Sequence, residues 1–169
     1  MRRLDAFFAV PGRYDVGNEP GFLAPYLYIW AGRPDKTAAR VREIIAKNYH
    51  AGLSGLPGND DSGAMSSWYA FGQMGIFPNA GQDVYLIGSP AYPETTLHLG
   101  GGKDFTIEAK GLSPENIYVA AAALNGKPID RAWLRHREIA GGGRLVLTMA
   151  KTPAHWAESA PPPSTPAPR

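Results

Sequence analysis

The clearest periodicity in the chain lies in PDKTAARVREIIAKNYH, residues 34–50, where Ala38, Val41, Ile44, Ile45 and Tyr49 recur on one helical face. Lys36, Arg40, Arg42, Glu43 and Lys47 fall mostly off that face, so the spacing predicts an amphipathic helix opened by Pro34. A second helix is predicted from Met65, Trp68, Tyr69 and Gly72 at i, i+3, i+4 and i+7, stopping near Gly75 and Pro78. Upstream, a short helix is expected around Leu4 to Val10, followed by the aromatic-rich run PGFLAPYLYIWA at 20–31. Beyond Pro78 the period changes to two. DVYLIGSP, TTLHLGGGKDFTIEA, NIYVAAAALNGKPI and RLVLTMA carry β-branched and aromatic residues, with Phe105, Ile107 and Ala109 alternating. Gly100 to Gly102, Asn125-Gly126 and Gly141 to Gly143 supply turns between them. The reading is α+β: a helical segment over 1–78, an antiparallel β segment of four to six strands over 79–152, and a Pro/Ala-rich tail over 153–169 expected to be extended and disordered.

Composition changes this picture little. The 169 residues are 44% hydrophobic, enough for a packed core. Seventeen Lys and Arg against fifteen Asp and Glu leave a formal charge of +2, which gives no electrostatic reason to propose nucleic acid or an anionic membrane as partner. The absence of cysteine excludes disulfides, thiolate metal sites and a cysteine nucleophile. The apolar run Ala6 to Val10 is too short for a signal-peptide core, and no stretch approaches the roughly 18 apolar residues of a membrane-spanning helix.

Two loops hold the candidate chemistry. In GLPGNDDSGAM, the adjacent Asp60 and Asp61 precede the second helix. A carboxylate there caps free backbone N–H groups and suits the positive end of the helix dipole, and the same field favours the ionised form that a general base requires. Capping and catalysis are compatible for different members of the pair. The two cannot form a complete acid/base couple, because neighbouring side chains diverge while glycosidase carboxyl pairs stand about 5–9.5 Å apart across a sugar. In the second loop, Asn18 and Glu19 before Pro20 offer oxygen ligands for a hard cation, or simply start a helical turn. Histidines 50, 98, 136 and 155 lack zinc-site spacing, GGGKD at 100–104 reads as a hairpin turn, and no serine sits in a G-x-S-x-G elbow.

Taken together, GNEP at 17–20, PYLYIWAGRPDKT at 25–37, GLPGNDDSGAMSSWYAFGQMGIFP at 55–78, YLIGSP at 85–90 and SPENIYVAAAALNGKPIDRAWLRH at 113–136 resemble the C-terminal part of glycoside hydrolase family 92, the calcium-dependent, inverting α-mannosidases. The resemblance runs from about Leu4 to Thr152. It implies that the first half is part of an (α/α)6 barrel, that the substrate is a mannose-containing glycan and that calcium is the cofactor. Asp61 matches the carboxylate that activates water, with Asp60 beside it; Asn59 and Glu19 match sugar contacts, and Asn18 the metal ligand, with Glu19 as the other residue that could reach the ion. Many members continue the first loop with S-H-H where this chain has Gly21, Phe22 and Leu23, which leaves the linkage cleaved open. Family members are considerably longer, and their general acid lies upstream. The chain is therefore expected to be a fragment that is inactive alone, or a non-catalytic remnant, or one half of a pair completed by a separate upstream polypeptide. Members are commonly exported, although the leader that directs this is not expected on this segment.

Overall fold

Pro34 opens the longest helix at a position where a missing N–H costs nothing, and the chain then stays helical to Asn48. In the computed structural model, which describes residues 1–164, the first half contains α1 (Arg2–Ala9), α2 (Pro34–Asn48) and α3 (Ala64–Met74). Two single 3-10 turns, Glu19–Gly21 and Ala24–Tyr26, are each initiated by a proline. Ala38, Val41, Ile44, Ile45 and Tyr49 are all buried, so the predicted face of α2 is the observed one. The helix α3 packs on it through Gly72, where an added Cβ would lie 2.9 Å from Ile45 Cδ1. It ends at Gly75, whose φ of 81° is left-handed and lets its N–H cap Phe71 and Gly72 carbonyls.

The second half forms two sheets. The smaller has strands β1 (Ile76–Asn79), β2 (Val84–Ile87) and β7 (Trp133–Arg135) in the order β1-β2-β7. The larger contains β3 (Glu94–Leu99), β4 (Lys103–Lys110), β5 (Tyr118–Leu124), β6 (Lys127–Ile129) and β8 (Gly143–Ala150), ordered β3-β4-β8-β5-β6. A short helix α4 (His136–Ala140) separates β7 from β8. Phe105, Ile107 and Ala109 do alternate inward on β4, matched by Leu145, Leu147 and Met149 on β8.

The α+β class and the helix-then-sheet order are as the periodicity predicts. Three details differ. Among the described residues eight strands form rather than four to six, because the short IFPN, KPI and WLR strands are too brief or proline-interrupted to show a period. The larger sheet is not wholly antiparallel: β8 inserts between two hairpins, running antiparallel to β5 and parallel to β4. Finally, the part of the expected disordered tail that is described is packed. Trp156 is buried and donates from Nε1 to the Ile129 carbonyl at 2.9 Å, Ala157 N–H reaches Asp130 Oδ1, and Ala160 accepts from Trp133 Nε1. One indole supplies enough apolar area to anchor an extended segment that has no periodicity of its own. Residues 165–169 of that tail lie outside the described residues.

Candidate active site

The structure separates the two aspartates. Asp60 holds the start of α3: its carbonyl accepts from Gly63, Ala64 and Met65 N–H, and its Oδ1 accepts from Ser66 N–H at 2.9 Å. The free donors of the first helical turn are thereby satisfied by a single residue. Asp61 follows with φ of 45°, Ser62 with 61° and Gly63 with 96°, three successive left-handed residues. Such backbone costs an L-residue roughly 1–2 kcal/mol, and Asp tolerates it better than most. The reversal leaves Asp61 exposed, and no described residue bonds its carboxylate. Asn59 is exposed beside it.

The first loop is clamped against the second. A Cβ on Gly58 would lie 2.9 Å from Gly17 Cα, and one on Gly17 would lie 2.7 Å from the Pro57 carbonyl. Only glycine at both positions permits this backbone approach. Asn18 and Asn59, each one residue further along, are thus brought to the same place although 41 positions separate them. Phe22 closes the arrangement from the far side of the first loop, its carbonyl accepting from Trp68 Nε1 at 3.1 Å. Trp68 in turn stacks on Tyr49, with ring centroids 5.8 Å apart. Gly17 N–H donates to Asp15 Oδ1 at 2.7 Å and tightens the turn before Asn18.

Within this arrangement Glu19 is half-buried, and its Oε1 is sealed from solvent without a hydrogen-bond partner among the described residues. A buried carboxylate oxygen left unpaired is costly, so the atom is suited to a cation or a donor that arrives with a ligand. Asn18, exposed next to it, adds an amide oxygen. Among the described residues no group of three or more His, Asp or Glu is placed to hold a metal. Calcium takes six to eight oxygens, so the Asn18 and Glu19 side-chain oxygens would fit no more than part of such a shell.

Beside Asp60 a groove of about 350 Å³ runs between the end of α2 and the start of α3, lined by Tyr49, His50, Leu56, Ser66 and Tyr69. Burial, and to a lesser degree the Asp60 charge, push the Tyr49 phenol up to about 12. Sequence reasoning placed Tyr49 only on a helix face and did not find this groove. The sole signal was the pair of loop glycines flanking Leu53.

The glycosyl hydrolase family 92 catalytic domain matches residues 1–151. The chain belongs to glycosyl hydrolase family 92. Among family 92 structures, an α-mannosidase from Bacteroides thetaiotaomicron in complex with mannoimidazole superposes with a TM-score of 0.92 at 35% identity, over 96% of this chain and 24% of that one. An inverting mannosidase from the same species gives 0.79 at 38% identity, over 92% of this chain and 20% of its own. An uncharacterized secreted glycosidase of Arthroderma benhamiae is 42% identical over 144 residues, which are 83% of this chain and 19% of that protein. The chain thus spans about a fifth to a quarter of the length of the relatives it matches.

Proposed function

We propose that this chain carries one side of a glycoside hydrolase active site that removes terminal α-linked mannose with inversion. The observation that supports this best is the Gly17–Gly58 approach, which places the Asn18-Glu19 loop against the loop that exposes Asp61. In this reading the ionised Asp61 takes a proton from water as the water attacks the anomeric carbon. Asp60 acts as a positioning residue, since its carboxylate oxygen is committed to the helix N-terminus. Asn59 and Glu19 hydrogen-bond sugar hydroxyls, and Asn18 donates an oxygen to calcium, with Glu19 Oε1 as the alternative ligand. When bound, calcium supplies a Lewis acid that orients the sugar hydroxyls.

An inverting reaction needs a second carboxyl group, about 6.5–9.5 Å away across the sugar, to protonate the leaving oxygen. In this reading that acid and the remaining calcium ligands belong to family 92 polypeptide outside this chain, on which turnover depends. A second reading, favoured by the chain's match to only 19–24% of its relatives, is a non-catalytic module that binds mannosides or associates with another chain.

The test is a nuclear magnetic resonance titration of the isolated chain with mannoimidazole in millimolar calcium. Saturable shifts confined to residues 17–19 and 59–62 are expected, and Asp61→Asn should weaken them. Silence of both loops at saturating ligand would remove the proposal.

A further inference from the structure

A second concavity lies apart from both loops. It occupies about 540 Å³ beside the β1–β2 turn, a size ordinary for small-molecule sites, and is lined by Pro78, Gln82, Asp83, Val84, Tyr85 and His136. None of these residues belongs to the candidate active site. The Gln82 Oε1 atom is sealed from solvent without a partner among the described residues. Tyr85 and His136 form a preorganised pair: the phenol oxygen and Nδ1 are 3.2 Å apart and the rings stack with centroids 6.0 Å apart. Asp83 is fixed by an ion pair with Arg135, and its carbonyl accepts from His136 N–H at 2.7 Å.

We propose that this concavity is a second, non-catalytic site for a neutral hexose. Its free valences are of both kinds: the Gln82 amide nitrogen and the outer ring nitrogen of His136, beside the phenolic oxygen of Tyr85 and the outer lone pairs of the Asp83 carboxylate. A mixed set of donors and acceptors beside one carboxylate suits a neutral ligand whose hydroxyls both donate and accept. Pro78 and the Tyr85 ring give an apolar wall for the C–H face of a pyranose. The site stands independently of the α-mannosidase reading, since it uses neither Asp61 nor the Asn18-Glu19 loop.

The experiment is a titration of the full chain with methyl α-mannoside, followed by amide and side-chain resonances to about 50 mM, the range in which a single-sugar site of millimolar affinity saturates. Saturable shifts of Gln82, Tyr85 and His136 are expected. Gln82→Leu should weaken binding about three- to tenfold, as loss of one hydrogen bond to a neutral group does. His136→Ala serves as a second variant should Gln82→Leu not fold, and it should also weaken binding. Asp61→Asn should leave these shifts unchanged. Shifts restricted to residues 17–19 and 59–62 would overturn the second site while leaving the active-site reading intact. Wild-type affinity at the Gln82 cluster in both Gln82→Leu and His136→Ala would overturn it as well.

Discussion

Two adjacent aspartates with the same chemistry have different work because the backbone turns between them. Asp60 sits where its carbonyl and one carboxylate oxygen reach the first N–H groups of α3, whereas Asp61 is thrown outward by its left-handed φ of 45°. Asp60→Ala removes a cap and is expected to cost roughly 1 kcal/mol, within the 0.5–2 kcal/mol of such caps. Asp61→Asn should leave stability within about 0.5 kcal/mol, since Asn accepts left-handed backbone at least as well and no described residue bonds the carboxylate. Urea denaturation of the two variants checks both values. A large loss for Asp61→Asn would mean that the residue is structural. The residue pattern shows that one of the pair could cap and one could react, and only the family resemblance points to Asp61 as the one that reacts. That division depends on φ angles at 61–63, for which Ser62 carries no signal. The orphaned Glu19 oxygen was equally invisible, because burial of a single atom arises only when two distant loops meet.

At the scale of elements, what was legible follows from periodicity. The buried face of α2, the stop of α3 at Gly75 and the Asn125-Gly126 hairpin between β5 and β6 are local patterns with local causes. The parallel β4–β8 pair and the docking of Trp156 are not, since both join segments far apart in the chain and neither changes the local alternation. Trp156→Ala is expected to destabilise the fold by about 3 kcal/mol, the lower end for truncating a buried aromatic, and thermal or urea unfolding measures it. A loss below about 0.5 kcal/mol would restore the expectation of a disordered tail.

The helix α4 allows a pH argument. Burial by itself would raise the Glu138 carboxyl, but its bonds to the Arg131 guanidinium and the Arg135 N–H prevail and hold it below the usual carboxylate value. A carboxyl whose folded pKa is depressed contributes stability that is fully present above its unfolded pKa and lost as pH falls through the folded one. Glu138→Gln should therefore lower stability at neutral pH and flatten the fall below about pH 4.5. Parallel acid-unfolding curves for variant and wild type would contradict the assignment.

On the scale of the whole molecule, a continuous core runs from α2 and α3 into both sheets, so the candidate site rests on a formed scaffold. The chain matches 19–24% of its relatives' length, and in the proposed reading the general acid lies on polypeptide outside it. Purified chain with calcium is expected to show no turnover of an aryl α-mannoside. Calcium alone should raise its melting temperature little, because a partial ligand shell binds weakly and stabilisation grows only with the ratio of ligand concentration to Kd. A rise of several degrees at millimolar calcium would instead show a complete site within this chain. The central claim concerns Asp61, and a graft tests it most directly: residues 1–151 replace the matching segment of the Bacteroides α-mannosidase, and kcat for an aryl α-mannoside is compared with and without Asp61→Asn. The account predicts an active graft whose kcat falls about 10²- to 10⁴-fold in the variant, as expected for loss of a general base, with little change in KM; an Asp61→Asn graft that turns over at the unmodified rate would contradict it.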